Sequence, residues 1–336
     1  MNSDFLPVAQ NLRGILDFAI KHSDKQAALI VWDDKSKLAK VLTKAYRACL
    51  PNSACVQFEE TEGPAIKEHF ENLSPGDLVV LIQSSSFRLD SFRIRLELFK
   101  RNLKVIEHPH LARIGDLEIP AYLDSLDYDQ DYFMRIGHGL KQRIDEAEVG
   151  IVCSGGGELV FPSSFESAKI NIGDYTDMKN VGGQFPIGEV FTESKDLCAV
   201  NGHVSIRFFG DVDFTVNKPK GPITLIVKQG QVSGVINSTP EFDRVLSNIR
   251  ADEGVIWVRE LGFGINRAFS KTRTVSDIGT FERMCGVHLS LGAKHHIYNK
   301  PNIKKKRAKH HVDVFVDTDT VTLDDETVFR NEAWLI

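Results

Sequence analysis

Short apolar runs alternate with stretches of helical period across the first 147 residues, and that alternation most narrows the folds open to this chain. Ala27 to Trp32, Ala54 to Phe58, Asp77 to Ile82 and Leu103 to Ile106 read as strands. Pro7 to Lys21, Lys35 to Cys49, Pro64 to Asn72, Phe87 to Arg101 and Asp131 to Ala147 read as helices. Strands without a polar face, separated by helices, predict a mostly parallel sheet covered on both sides. After residue 147 the texture changes to glycine-punctuated strands: Val149 to Cys153, Leu197 to Val200, His203 to Phe209, Ile223 to Val227, Val232 to Ile236, Gly254 to Arg259 and Val287 to Leu291, with a last hairpin from Asp319 to Phe329. Asn201-Gly202 and Gln229-Gly230 read as hairpin turns, and one helix, Pro240 to Ile249, interrupts. The expected architecture is α/β, a Rossmann-like domain over 1–147 followed by a β-rich domain over 148–336. The first half carries no dinucleotide fingerprint, so its layout implies no cofactor.

A chain of 336 residues fits two domains, and 42% hydrophobic with 26% charged residues is enough apolar material for sizeable cores. The net charge of −5 argues against a general nucleic-acid binder, whose footprint is basic. Five scattered cysteines predict reduced, buried thiols rather than a disulfide framework. The start lacks the basic-then-apolar pattern of a secretion signal and no apolar run approaches about 18 residues, so a soluble cytoplasmic protein without membrane partners is expected.

Candidate chemistry gathers in the second half. In the stretch from Lys309 to Asp317 the apolar residues alternate as in a half-buried strand, so His311 and Asp313 share one face while Val312, Val314 and Val316 share the other. Glu189 follows a turn-rich approach, Glu260 stands where a strand is expected to give way to a glycine loop, and His288 lies within an apolar strand. Separately, strand-end glutamates are commonly solvated, and a lone histidine in an apolar strand is commonly a hydrogen-bonded core residue. Together, two histidines and three carboxylates at strand ends suit one divalent ion or two bridged ones. Ser154-Gly155-Gly156-Gly157 lacks the ending of a phosphate loop and reads as a plain turn. The basic run Lys304 to Lys309 reads as a solvated loop, or as an attractor of substrate anions.

The order of these motifs resembles the aminopeptidase T family of two-metal peptidases. It lies in Glu-Val-Phe-Thr at 189–192, Glu-Leu-Gly-x-Gly at 260–264, Val-His-x-x-Leu-Gly at 287–292 and His-x-Asp at 311–313. The resemblance implies Glu189, Glu260, His288, His311 and Asp313 as metal ligands, zinc, cobalt or manganese as the ions, a small peptide or small-molecule substrate, and a homodimer. The family's catalytic tyrosine falls where this chain has His295, with Tyr298 the nearest tyrosine. The shorter first domain is similar to that of a divergent branch, the 2,5-dihydroxypyridine dioxygenases, in which two histidines and an aspartate hold one Fe(II); His288, His311 and Asp313 supply that set. Three functions follow. A metallohydrolase of aminopeptidase type would use Glu189 or Glu260 as proton shuttle and His295, His296 or Tyr298 as oxyanion donor. An Fe(II) ring-cleaving dioxygenase would use His203, His108 or His110 as acid or base. The third is a non-catalytic member binding a peptide or small ligand.

Overall fold

The structure is a computed structural model describing residues 6–89, 92–295, 297–303 and 308–336. The chain is mixed α/β and divides into two compact units, Met1–Phe133 with Gly173–Ile187, and Met134–Ile172 with Gly188–Ile336.

The first unit is built on a parallel sheet in the order Gly182–Gln184, Lys104–His108, Leu78–Ile82, Ala28–Trp32, Ala54–Gln57. Alternate residues explain the absence of a polar face: Leu29, Val31, Val79, Leu81 and Val105 pack with Ile66, Phe70, Ile94 and Leu98, while Ile30, Val80 and Ile106 point oppositely and are equally buried. Helix Lys37–Cys49 begins where the Ser36 hydroxyl accepts from the Ala39 amide at 3.1 Å, and it buries Leu38, Leu42, Ala45, Tyr46 and Cys49 at helical spacing. The expected helix Phe87 to Arg101 is corrected: Arg88–Leu89 and Phe92–Arg93 form a short antiparallel pair and only Ile94–Lys100 is helical. The helical spacing of Phe87, Ile94 and Leu98 arises because separate elements feed one core, Phe87 stacking on Phe58 at 4.0 Å between centroids.

His108, offered above as an acid or base, is a buried core residue of this unit. The Tyr122 hydroxyl donates to the Phe185 carbonyl at 3.2 Å, so it accepts from His108 Nδ1–H at 2.9 Å, and His108 Nε2 accepts from the Tyr46 hydroxyl at 2.8 Å. Burial lowers its pKa from 6.5 to about 3. Between those values the unfolded chain binds a proton that the folded chain refuses. Stability contributed by neutral His108 is therefore present above about pH 6.5 and falls by up to about 1.4 kcal/mol per pH unit as pH drops towards 3. Urea unfolding of wild type should steepen in pH dependence over this window relative to His108→Asn; parallel slopes would refute the assignment. His110, with Ser86 Oγ 3.2 Å from its Nε2, also belongs to this unit.

The second unit is dominated by a 14-stranded sheet. Its central run, in order, is Lys169–Asn171, Glu189–Glu193, Val258–Gly264, Gly286–Leu291, Val312–Val316, Asn201–Gly210, Gly157–Phe161 and Gly150–Ser154. Gln229 and Gly230, both at positive φ, make the two-residue hairpin between Ile223–Lys228 and Gln231–Ile236. Ser154–Gly157 is likewise where two paired strands meet. Three expectations are corrected. Leu197–Ala199 is a 3₁₀ turn capped by the Asp196 carboxylate, which accepts from Cys198 N, rather than a strand. Asn201 and Gly202 open a strand instead of turning, pairing with Val160 and Leu159. The strand expected at Gly254 to Arg259 runs instead over Val258–Gly264, and the helix before it continues to Glu253. All five cysteines are free, but only Cys49 is buried; Cys55 and Cys198 are exposed. Among the described residues no helix is long and apolar enough to cross a membrane.

Candidate metal centre

Four neighbouring strands of the second unit carry Glu189, Glu260, His288 and Asp313, and His311 immediately precedes the last of them. Glu189 opens its strand opposite Gly264. Glu260 lies in a β-bulge: Val258 pairs with Leu291 and Leu261 with Leu289, so Arg259 and Glu260 together face Ser290, whose hydroxyl accepts from the Glu260 amide at 3.0 Å. A bulge re-aims side chains, and here it turns a carboxylate towards its neighbours within a continuous strand. Glu260 is thus interior to its strand, not at the end where it was expected, while His288 lies inside its strand as its apolar neighbours predict. Gly262 faces His288 across the ladder, and a Cβ there would come within 2.1 Å of the imidazole. Gly262 of Glu-Leu-Gly-x-Gly makes room for the ring and Gly264 for the Met284 backbone; they are not the loop that glycine suggests.

The side chains converge. His288 Nε2 lies 3.2 Å from Glu189 Oε1 and 3.4 Å from Glu260 Oε1, and His311 Nε2 lies 3.2 Å from Asp313 Oδ1. Ligand atoms of Glu189, Glu260 and His288 fall within 4.8 Å of one another, as do those of Glu260, His311 and Asp313. Glu260 belongs to both groups. His288 Nε2 and Asp313 Oδ1 are buried, within ion-pair distance of a neighbour, yet in no aligned hydrogen bond. The His311 ring places Nδ1 3.1 Å from the Lys294 carbonyl; donation there leaves the Nε2 lone pair facing the cluster, the tautomer a metal ligand needs. Buried carboxylates crowded with imidazoles and unspent lone pairs fit a divalent cation.

Without an ion, protons do the neutralising. Burial pushes His288 and His311 down, but Glu189 and Glu260 hold His288 well above its ordinary value, and Asp313 with Glu260 and Glu282 raises His311 to about 10. Burial also pushes Glu260 and Asp313 up; His288, His295 and His311 overrule it for Glu260, and His311 does so for Asp313, so both lie below the usual carboxylate range. A cation entering the cluster displaces those protons.

His295 joins the site. Its Nδ1 accepts from the amides of Ile297 and Tyr298 at 3.2 and 3.3 Å, so Nε2 carries the proton and donates to Glu260 Oε2 at 2.8 Å. Tyr298 stacks on His295 at 5.0 Å between centroids, but its hydroxyl donates to the Ser167 carbonyl at 2.7 Å. His203 is exposed on Asn201–Gly210 and outside both ligand groups. His296 and Lys304–Arg307 lie outside the described residues. Sequence reading missed two buried arginines. Arg283 Nη1 stands 3.4 Å from Glu189 Oε2 and pairs with Glu282. Arg259 pairs through Nε and Nη2 with buried Glu193 and donates to the carbonyls of Ala293 and Tyr298 at 2.6 and 2.9 Å, fixing the segment that presents His295. The available signal was an arginine directly beside a charged residue at Glu282-Arg283 and Arg259-Glu260, each within or just before an apolar strand.

No protein-family description and no curated protein matches this sequence. Solved structures do. The 2,5-dihydroxypyridine dioxygenase from Pseudomonas putida superposes with a TM-score of 0.62 over 98% of this chain and 96% of its own, at 14% identity. AmpT from Thermus thermophilus superposes with a TM-score of 0.56 over 98% of this chain and 99% of its own, at 12% identity. The chain has their fold. At such identity the chemistry rests on the residues of this chain.

Proposed function

We propose that this chain is a metallohydrolase of aminopeptidase type, removing an N-terminal residue from a small peptide or cleaving a related small amide. The observation that carries this reading is the sharing of Glu260 by two ligand groups, Glu189–Glu260–His288 and Glu260–His311–Asp313. A carboxylate common to two three-ligand groups suits a pair of ions. In the rival reading, one Fe(II) held by His288, His311 and Asp313, those three would form a single group; here the histidines fall into different ones.

Bound in these groups, divalent ions would polarise a scissile carbonyl and acidify water at neutral pH. The chain's own residues supply the rest. Glu260 keeps Oε1 towards His288 while its Oε2 accepts from His295 Nε2–H, so it is held as the shared ligand, and Glu189, in one group only, is left to take the proton of the attacking water and return it to the leaving amine. His295 stands where the resembled peptidases have a tyrosine and offers a neutral N–H donor in its place. Arg283 balances the charge of Glu189 on the far side of the cluster.

Metal analysis of full-length protein purified without oxygen tests this, coupled to release of aniline from aminoacyl anilides. About two zinc, cobalt or manganese ions per chain with metal-dependent release is the expected result. About one iron, with oxygen consumed on a dihydroxypyridine, would replace the hydrolase by the dioxygenase. Metal without either activity would leave a ligand-binding protein.

A further inference from the structure

Helix Pro240–Glu253 ends on a buried carboxylate, and both burial and the helix dipole oppose a negative charge there. Three backbone amides compensate it. Glu253 Oε2 accepts from Ala293 N at 2.6 Å, and Oε1 accepts from Lys309 N and His310 N, each at 2.8 Å. The donors belong to two segments distant in sequence, one leading into His295 and the other into His311. The segments also bond each other: Lys294 N donates to the His310 carbonyl at 3.0 Å, and His311 Nδ1 lies 3.1 Å from the Lys294 carbonyl. Gly292 permits this approach, since at its φ of +110° a Cβ would lie 2.3 Å from the His310 carbonyl oxygen.

We propose that Glu253 is a positioning residue of the metal centre, cross-bracing the 293–295 and 309–311 segments so that His311 Nε2 stays turned to Asp313 and His295 to Glu260. The role at the ions rests on the metal reading above; the hold on the histidines does not. One carboxylate sets two imidazoles because it grips the backbone two residues before His295 and one and two residues before His311. Adjacent Asp252 offers a built-in comparison, since among the described residues it bonds the Lys309 ammonium and the His310 ring, each at 2.7 Å, and neither backbone segment.

The test compares full-length wild type, Glu253→Gln and Asp252→Asn. Glutamine keeps the volume but turns one acceptor into a donor facing amide donors. Imidazole ¹⁵N spectra of the metal-free proteins are expected to give one sharp set of His311 signals in wild type and Asp252→Asn, and a shifted or broadened set in Glu253→Gln. Cobalt(II) titration is expected to weaken about 10- to 100-fold at the group containing His311, the scale of losing an outer hydrogen-bond partner. If Glu253→Gln does not fold, Glu253→Asp, which keeps the charge but shortens the reach, is read in the same way. A folded Glu253 variant with wild-type His311 signals and wild-type cobalt affinity overturns the proposal. If wild type binds no cobalt while the His311 signals still change in the variant, the metal reading falls and the positioning role stands.

Discussion

Glu260→Ala is expected to strip metal from both ligand groups at once, taking the chain from about two ions to none, with turnover falling at least about 10³-fold, the scale of several kcal/mol of lost charge stabilisation. The expectation follows from its place in both groups: removing it leaves Glu189 with His288, and Asp313 with His311, two ligands each. Asp313→Ala depletes only one group, so about one ion should remain. Metal content after dialysis, with circular dichroism to verify the fold, distinguishes the two variants. Retention of both ions by Glu260→Ala would show that the carboxylate does not bridge. Equal losses in both variants would point to a single-ion centre instead.

The second large effect concerns stability. Arg259 and Glu193 have side chains only 2% and 0% exposed, with Lys300 at 3.9 Å the other cation near Glu193 among the described residues. Arg259→Met deletes one partner of a buried pair and leaves a carboxylate with little compensation, a loss of about 3–5 kcal/mol. For a chain of this size that lowers Tm by about 4–7 °C. It also frees the carbonyls of Ala293 and Tyr298, so the segment presenting His295 loosens. Adding Glu193→Met should restore a large part of the loss, because the penalty lies in the stranded charge more than in the missing pair. Calorimetry of the single and double variants checks both signs; a double variant no more stable than Arg259→Met would mean that the arginine's grip on the carbonyls dominates.

The candidate ligands drew attention because each stands beside a local pattern: Asp313 within a strand of alternating apolar residues with His311 just before it, and His288 inside an apolar strand. The parallel sheet was legible for the same reason, since strands such as Leu78–Ile82 are apolar on both faces and nothing else in the segment competes. What misled was punctuation. Gly262 and Gly264 read as the end of a strand, whereas they continue it where the His288 ring and the Met284 carbonyl leave no space for a Cβ. Asn201-Gly202 read as a turn for the same reason and is strand. The bulge at Glu260, the Arg259–Glu193 pair and the Glu253 brace were illegible because each depends on partners between 30 and 66 residues away, a separation no local period records.

Glu189, Glu260, His288 and Asp313 are neighbours across the sheet yet scattered along the chain. On the proposed reading, a bound ion acts as a removable cross-link, closing loops that the unfolded polypeptide leaves open. Such closure contributes through the logarithm of loop length, so the long span from Glu189 to Glu260 and the shorter one from Glu260 to His288 count almost alike. The ion binds the native arrangement and not the unfolded chain, so its concentration enters directly into the folding equilibrium. Metal supply, as much as temperature, then sets the lifetime of the newly made chain against proteolysis.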